Sequence, residues 1–354
     1  MGCDMNKQGY DYSLLSKHRD KIMGFAILWI ILFHCSGDLS GIPVLGLIKN
    51  YGNVGVDMFL VMSGIGLYYS AEKLAGNRKS LKWIPVFYRK RLQRLMPATL
   101  VCLMPWYLYL NLGHVVEPGR FILDISSLSF WIDGQNRGWY VAFSLLLYFL
   151  YPLLFFVIRA AAGKGEPRAQ YWIAMAAIMG ADVAVNTALA SAFPDWFGVL
   201  DIALCRVPVF VAGCFIAVPV KRNVKRPAVV PVLSVAAAAL SIFVLEEFGN
   251  LLQTAGIWRY LYGIAGLSLC IVLSFIFEKV RWKWLHFLFS FTGRYTLELY
   301  LTHTQFLSVL LDLAGARFGD SFAVTLACNA VAIIAAFLTA VIIHRIFYGR
   351  TGYR

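Results

Sequence analysis

The sequence predicts an all-α polytopic membrane protein with about ten transmembrane helices and both termini cytoplasmic. Three observations lead there. Of the 354 residues, 60% are hydrophobic and 14% charged, whereas soluble domains run near half apolar and about a quarter charged. Apolar stretches of about 20 residues, long enough to cross a hydrocarbon core as helices, recur along the whole chain. The loops between them alternate in charge, with 26 of the 32 Lys and Arg residues in one alternating set and 6 in the other. The basic set marks the cytoplasmic side.

The spans are expected at 22–38, 51–70, 93–112, 138–158, 171–190, 201–219, 228–246, 257–277, 291–313 and 322–345. The first follows Lys17, Arg19 and Lys21. A basic flank and an apolar run also describe a cleaved signal peptide. The ionisable His34 far along the run, and the phase of the later loops, favour an uncleaved helix. The second span starts at Tyr51 and closes on Lys73; the third leaves the basic segment FYRKRLQRLMP, residues 87–97. The fourth, from Trp139, is almost purely apolar and is followed by Arg159, Lys164 and Arg168. The fifth is Ala-rich, and the sixth stops at Lys221 and Arg222. The seventh and eighth form a pair that ends at Lys279, and the ninth carries FTGRYTLELYLTHTQF, residues 291–306. The tenth is apolar up to Arg345. We read residues 1–354 as one integral-membrane domain, with a cytoplasmic N-terminal segment 1–21 and spans within 22–345; there is no internal repeat. The longest external loop, 113–137, contains Asp124, Asp133, Gln135 and Asn136, and is long enough either to fold over the surface or to remain irregular.

The net charge of +13 sits in the loops of one side, which explains it by topology and excludes nucleic acid as the expected partner. The seven cysteines are scattered, mostly within spans, with no CxxC spacing and no His/Cys cluster. They indicate no disulfide framework and no metal site.

Ionisable groups inside spans are costly and usually face an interior cavity. Four stand out: His34, Asp57, Glu298 and His303. His34 lies thirteen residues beyond Lys21, about 20 Å along a helix, and Asp57 is about 9 Å from the start of the second span. Asn53, Asp57 and Gly64 fall at i, i+4 and i+11, on one stripe. This stripe is expected to face the first helix, with Asp57 orienting His34 and leaving the other ring nitrogen as a base; a structural inter-helix hydrogen bond is the plain alternative. Glu298 and His303 are five residues apart, about 140° around a helix, so they are not a local acid–base pair. In residues 87–97, Lys90 and Arg94 at i, i+4 and Arg91 and Arg94 at i, i+3 make a compact cationic patch. Guanidinium groups suit phosphate, and the same patch suits anionic lipid; spacing leaves both open. A proton-coupled secondary transporter is the rival reading, because intramembrane histidines and carboxylates also relay protons. Transporters tend to show broken helices in two related halves, a symmetry this chain lacks.

Five segments resemble the integral-membrane acyltransferase-3 family, which includes O-acetyltransferases of cell-surface polysaccharides. MGFAILWIILFH (23–34) is similar to its first helix, which ends in an essential histidine. GNVGVDMFLVMSG (52–64) is similar to its second-helix signature, and FYRKRLQRLMP resembles its Arg-x-x-Arg segment, here Arg91 and Arg94. RGWYVAFSLLLYFLYPLL (137–154) resembles its Trp-Tyr-Leu helix, and GRYTLELYLTH (293–303) its late Tyr-Leu-x-His stretch. Two positions depart from the pattern. Met23 stands where the family usually has Arg or Lys, a charge that Arg19 or Lys21 can supply. Ser144 and Leu145 stand where acidic residues are common.

The resemblance implies an acyl-CoA co-substrate, most often acetyl-CoA, bound at the cytoplasmic face by Arg19, Lys21, Arg89, Arg91 and Arg94. No cofactor is held permanently. It implies a hydroxyl-bearing acceptor, often a glycan or lipid-linked sugar, and a bacterial-type plasma (inner) membrane. His34 would be general base or nucleophile, with Asp57, Glu298 and His303 as further catalytic candidates. Trp139, Tyr140, Asn53 and Ser63 are candidates on the acceptor side; Trp139 also fits an interface anchor.

Overall fold

The computed structural model describes residues 9–37, 42–76, 81–110, 117–134, 138–318 and 321–349. Gln135 and Asn136 of the long loop and Lys7, Arg78, Lys79, Arg137, Arg350 and Arg354 of the charge count lie outside the described residues. The chain is a helical bundle. A short segment, α1 (Ser13–Lys17), leads into α2 (Arg19–His34), α3 (Pro43–Asn50), α4 (Val54–Ala75) and α5 (Trp83–Leu110). Then come α6 (Pro118–Ile125), α7 (Ser129–Asp133), α8 (Trp139–Ala162), α9 (Ala169–Ala192), α10 (Pro194–Leu204) and α11 (Val207–Lys221). The chain finishes with α12 (Val229–Thr254), α13 (Trp258–Lys279), α14 (Lys283–Arg294), α15 (Thr296–Phe318) and α16 (Phe322–Tyr348). Two short strands, β1 (Tyr10–Asp11) and β2 (Lys225–Arg226), pair antiparallel. With the buried Tyr10 hydroxyl 2.8 Å from Ser274 Oγ, they fasten the N-terminal segment to the bundle.

Among the described residues, seven helical stretches are long and apolar enough to cross a bilayer: α4, α8, α9, α10 with α11, α12, α13 and α16. This is a multi-pass membrane protein. The other three expected spans fall on α2, α5 and α15. These are the helices that carry His34, the Arg91/Arg94 patch, and Glu298 with His303. The 16-residue α2 is shorter than the others, and the charged and polar residues of α5 and α15 lower their apolar character.

Several boundaries differ from expectation: α5 begins at Trp83 rather than 93 and α12 runs to Thr254 rather than 246, and three further differences bear on the site. The first span stops at His34 rather than 38, because Cys35 turns extended and Gly37 adopts φ 118°. Asn329 of α16 takes up the freed backbone: its Nδ2 donates to the Ser36 carbonyl at 2.6 Å, and the Ser36 amide donates to its Oδ1 at 3.3 Å. The sixth span is broken into α10 and α11 at Cys205–Arg206, just before Pro208. The ninth begins at Thr296; the preceding residues form the amphipathic α14, which lies along α2. Within the long loop, residues 117–134 form α6 and α7. Arg120 bridges Asp124 and Asp133, and Phe130 is fully buried, so this part folds onto the bundle.

Small residues let the helices touch backbone to backbone, as membrane helices must when no hydrophobic effect drives them together. A Cβ on Gly24 would lie 1.9 Å from the Phe289 carbonyl oxygen, and one on Gly293 would lie 1.8 Å from that of Asp20. The two glycines fix the α2–α14 crossing from both sides. Gly64 and Gly213 do the same for α4 and α11, at 2.6 Å from the Cys214 amide and 2.5 Å from the Val61 carbonyl. Because α2 delivers His34, its seating on α14 sets the site. Gly24→Val is expected to destabilise the protein by about 1–3 kcal/mol or more, read as a lowered unfolding temperature in detergent. Ala at the exposed Gly180, whose Cβ would meet nothing within 4 Å, should leave it unchanged.

Candidate active site

Helices α2, α4, α5, α8, α11 and α15 enclose a cavity of about 800 Å³. Its mouth lies at the basic ends of these helices, and Arg19, Lys73, Lys90, Arg91, Arg94 and Lys221 line it with a single carboxylate, Glu72. Lys221 is paired with Glu72. Arg91 stacks over the Phe87 ring at 5.5 Å, and its buried Nε has no hydrogen-bond partner among the described residues. From Lys73 at the mouth to Phe59 at the inner end is fourteen residues of α4, about 21 Å. The inner end is apolar and aromatic: Phe59, Tyr140 and Tyr300, with Ser63 and Ser144 beside them.

The two histidines meet beyond that end. His303, 2% exposed on α15, presents Nε2 at 3.3 Å from Nδ1 of His34, with ring centroids 5.0 Å apart. His303 Nδ1 donates to the Leu299 carbonyl at 2.8 Å, which leaves its Nε2 as an acceptor. His34 Nδ1 lies 2.9 Å from the Ile30 carbonyl, so it carries the proton and shares it between that oxygen and His303. This tautomer puts the basic lone pair of His34 on Nε2. His34 is the last residue of α2 and is exposed, on the side away from the basic mouth.

The expected partnership of Asp57 with His34 does not form. The Asn53–Asp57–Gly64 stripe faces α11 and α13, because Gly64 packs on Phe210–Cys214 and Gly266 packs on Asp57. The face of α4 towards α2 is instead that of Gly55, against Ala26 and Ile30. The Asp57 carboxylate lies 3.3 and 3.4 Å from Nε of Arg206, both side chains fully buried. Arg206 Nη1 donates to the Ile202 carbonyl at 2.6 Å, one of the carbonyls left over where α10 ends. Its guanidinium also lies 5.5 Å from the Trp139 ring. Trp139 is therefore an inward-facing partner of Arg206 rather than an interface anchor. Next to this pair, Arg259 lies 2.8 Å from Asp201 and 4.3 Å from the Trp258 ring. These charges pair where α4, α11 and α13 begin, although Asp57 Oδ1, Arg206 Nη2 and Arg259 Nε are left without a hydrogen bond among the described residues.

Glu298 is buried at the basic end of α15, paired at 2.8 Å with His344 of α16. It faces away from the two histidines, as its 140° offset requires. Of the donor-side candidates, Arg19, Arg91 and Arg94 line the cavity, and Lys21 and Arg89 do not. Lys21 points to the other side of α2, where its Nζ donates to His18 Nδ1 at 3.1 Å. Burial pushes the His18 pKa below the usual histidine range, so the neutral ring donates through Nε2 to Glu278 at 2.8 Å. Arg19 and Met23 are i, i+4 and both line the cavity, so Arg19 supplies the charge that Met23 lacks. Ser144 lines it too. Tyr140 and Ser63 line the inner end; Asn53 remains at the start of α4, outside the cavity. Sequence reasoning missed Lys73, Lys221, Tyr300, Arg206 and His344. Only Arg206 and His344 carried a signal, as ionisable residues next to or inside apolar runs.

Breaking one side of a buried ion pair strands the other charge and costs about 3–5 kcal/mol. Arg206→Met and Asp57→Leu are each expected to lower stability by that order. The double substitution should cost clearly less than their sum, measured by thermal unfolding in detergent.

A family model described as an acyltransferase domain, Acyl_transf_3, matches residues 22–345. No curated protein and no solved structure matches the chain. The match takes in the helices from Ile22 to Arg345, the cavity lining apart from Arg19 and the His34–His303 contact, and by it this chain belongs to the membrane acyltransferase family Acyl_transf_3.

Proposed function

We propose that this membrane acyltransferase moves an acyl group, an acetyl group first of all, from cytoplasmic acyl-CoA to a hydroxyl of a glycan, lipid-linked sugar or other small acceptor, in a bacterial-type plasma membrane. The observation that carries the reading is the cavity itself. Its mouth holds six basic side chains and one carboxylate, and a buried Arg91 Nε there awaits an acceptor. A polyanionic, elongated donor with a slim thioester arm suits that shape. The mouth is at the ends of the helices whose loops hold most of the Lys and Arg, the side expected to be cytoplasmic.

Arg19, Arg91 and Arg94 would hold the phosphates by charge-assisted hydrogen bonds, with Lys73 and Lys90 completing the ring of charge. The pantetheine arm would then run inward towards Tyr140 and Tyr300. An acceptor reaching the exposed face of His34 from the opposite side would give its hydroxyl proton to Nε2. The oxygen would attack the thioester carbonyl carbon, the C–S bond would break, and the CoA thiolate would take up the proton from the imidazolium. The products are an ester and free CoA. His303, as a neutral acceptor against His34 Nδ1, would hold the ring in the tautomer that keeps Nε2 basic and would stabilise the imidazolium as it forms.

Purified protein or native membranes given labelled acetyl-CoA provide the test. His34→Ala is expected to lower transfer by about 100-fold or more while donor affinity is kept. Arg91→Ala with Arg94→Ala should weaken donor binding by about tenfold or more. Unchanged affinity in that double variant would leave the patch as a lipid anchor. Proton-linked flux into liposomes without CoA release would favour a transporter instead.

A further inference from the structure

Between the donor cavity and the histidine pair stands a partition of aromatic rings. Phe59 of α4, Tyr140 of α8 and Tyr300 of α15 close the inner end of the cavity. Centroid distances are 6.4 Å from Phe59 to Tyr140 and 4.9 Å from Tyr140 to Tyr300. The Tyr300 ring lies 6.0 Å from that of His303, and His303 is one helical turn further along α15. Neither His303 nor His34 lines the cavity. A thioester coming from the basic mouth meets the Tyr140–Tyr300 contact before it meets an imidazole.

We infer that Tyr140 and Tyr300 form the constriction through which the acyl end of the donor must pass, and that their rings set the size of acyl group this enzyme accepts. The inference rests on the acyl-CoA reading above. Three physical points carry it. Phe59, Tyr140 and Tyr300 come from three different helices, so the gap cannot widen by the movement of one loop. Aromatic side chains are stiff plates with two torsions, so what they leave open is a slot of limited width rather than a soft apolar pocket. The adjoining residues Ser63 and Ser144 are small, and they supply what free width exists beside the rings. A two-carbon acyl group needs little displacement of the rings; each further methylene has to be accommodated against them. One misfitted methylene in an enzyme pocket changes discrimination by about tenfold or more. Ser144, where the family pattern has an acidic residue, then belongs to the same slot and keeps it uncharged.

The test is a panel of acetyl-, butyryl- and octanoyl-CoA, with CoA release followed in native membranes that contain the full-length protein and its own acceptor. Tyr300→Ala and Tyr140→Ala are expected to raise the octanoyl-to-acetyl ratio of kcat/KM by about tenfold or more. Tyr300→Phe, which keeps the ring, should keep the wild-type octanoyl-to-acetyl ratio. Ser144→Leu keeps both rings, at the cost of the hydrogen bond between Tyr140 and Ser144, and works in the opposite direction: it should depress butyryl-CoA relative to acetyl-CoA. If the alanine variants and Ser144→Leu all release CoA from acetyl-CoA with a chain-length profile within twofold of wild type, the constriction has no such role, and the acyl-CoA reading stands. If the wild type releases CoA from none of the three thioesters, the acyl-CoA reading fails, and this inference with it.

Discussion

A charged side chain on a membrane helix has hydrocarbon on one side and its neighbours on the other, so it must find a partner within the bundle. This constraint orders the molecule. It pairs Asp57 with Arg206 and Asp201 with Arg259 at one end, and Glu298 with His344 at the other. It draws α2 and α15 together through His34 and His303. The basic mouth differs in its balance of charge: six cations line it with Glu72, which pairs with Lys221, while the guanidinium of Arg91 rests on a ring. Such an excess of positive charge around a cavity suits a mobile anion.

The helix packing serves the same end. Gly24 and Gly293 allow α2 to lie directly on α14, and the Asn329 clamp holds the two residues after His34 against α16. His34 is thus fixed from below by backbone contact and from above by paired hydrogen bonds. A side chain held in this way is pre-organised, and pre-organisation of a base and its orienting partner is what general-base chemistry needs. The two approaches to the pair differ in character: a long cationic cavity with an aromatic end on one side, and an exposed ring on the other.

Much of this was legible in the sequence. Apolar length and alternating loop charge located the spans to within a few residues at most ends. The i, i+3 spacing of Arg91 and Arg94 put them on one face, and that face lines the cavity. Met23 marked a missing charge for which Arg19 and Lys21 were both open, and only Arg19 of the two lines the cavity. What was not legible was partner choice between helices. Asp57 was expected close in depth to His34, but the contact of Gly55 with Ala26 and Ile30 sets it deeper along α2, and the small residues Gly64 and Gly266, which seat α4 on α11 and α13, turn it to Arg206. Arg206 itself read as a loop charge, because Cys205–Arg206 interrupts an apolar run that otherwise continues through Pro208. Tyr300 resembled any aromatic core residue. Its position at the cavity end follows from the crossing of α4, α8 and α15, which periodicity does not encode.

The central claim is that one molecule reaches the histidine pair from the basic end of the bundle and another from the opposite end. A structure determined with a non-transferable acyl-CoA analogue, such as an acetyl-CoA thioether, tests it most directly. The account predicts phosphates against Arg19, Arg91 and Arg94, with the acyl end at or beyond the Tyr140–Tyr300 contact, pointing at His303 and His34. An analogue bound at the His34 face of the bundle, or one whose acyl end turns away from Tyr300, would contradict it.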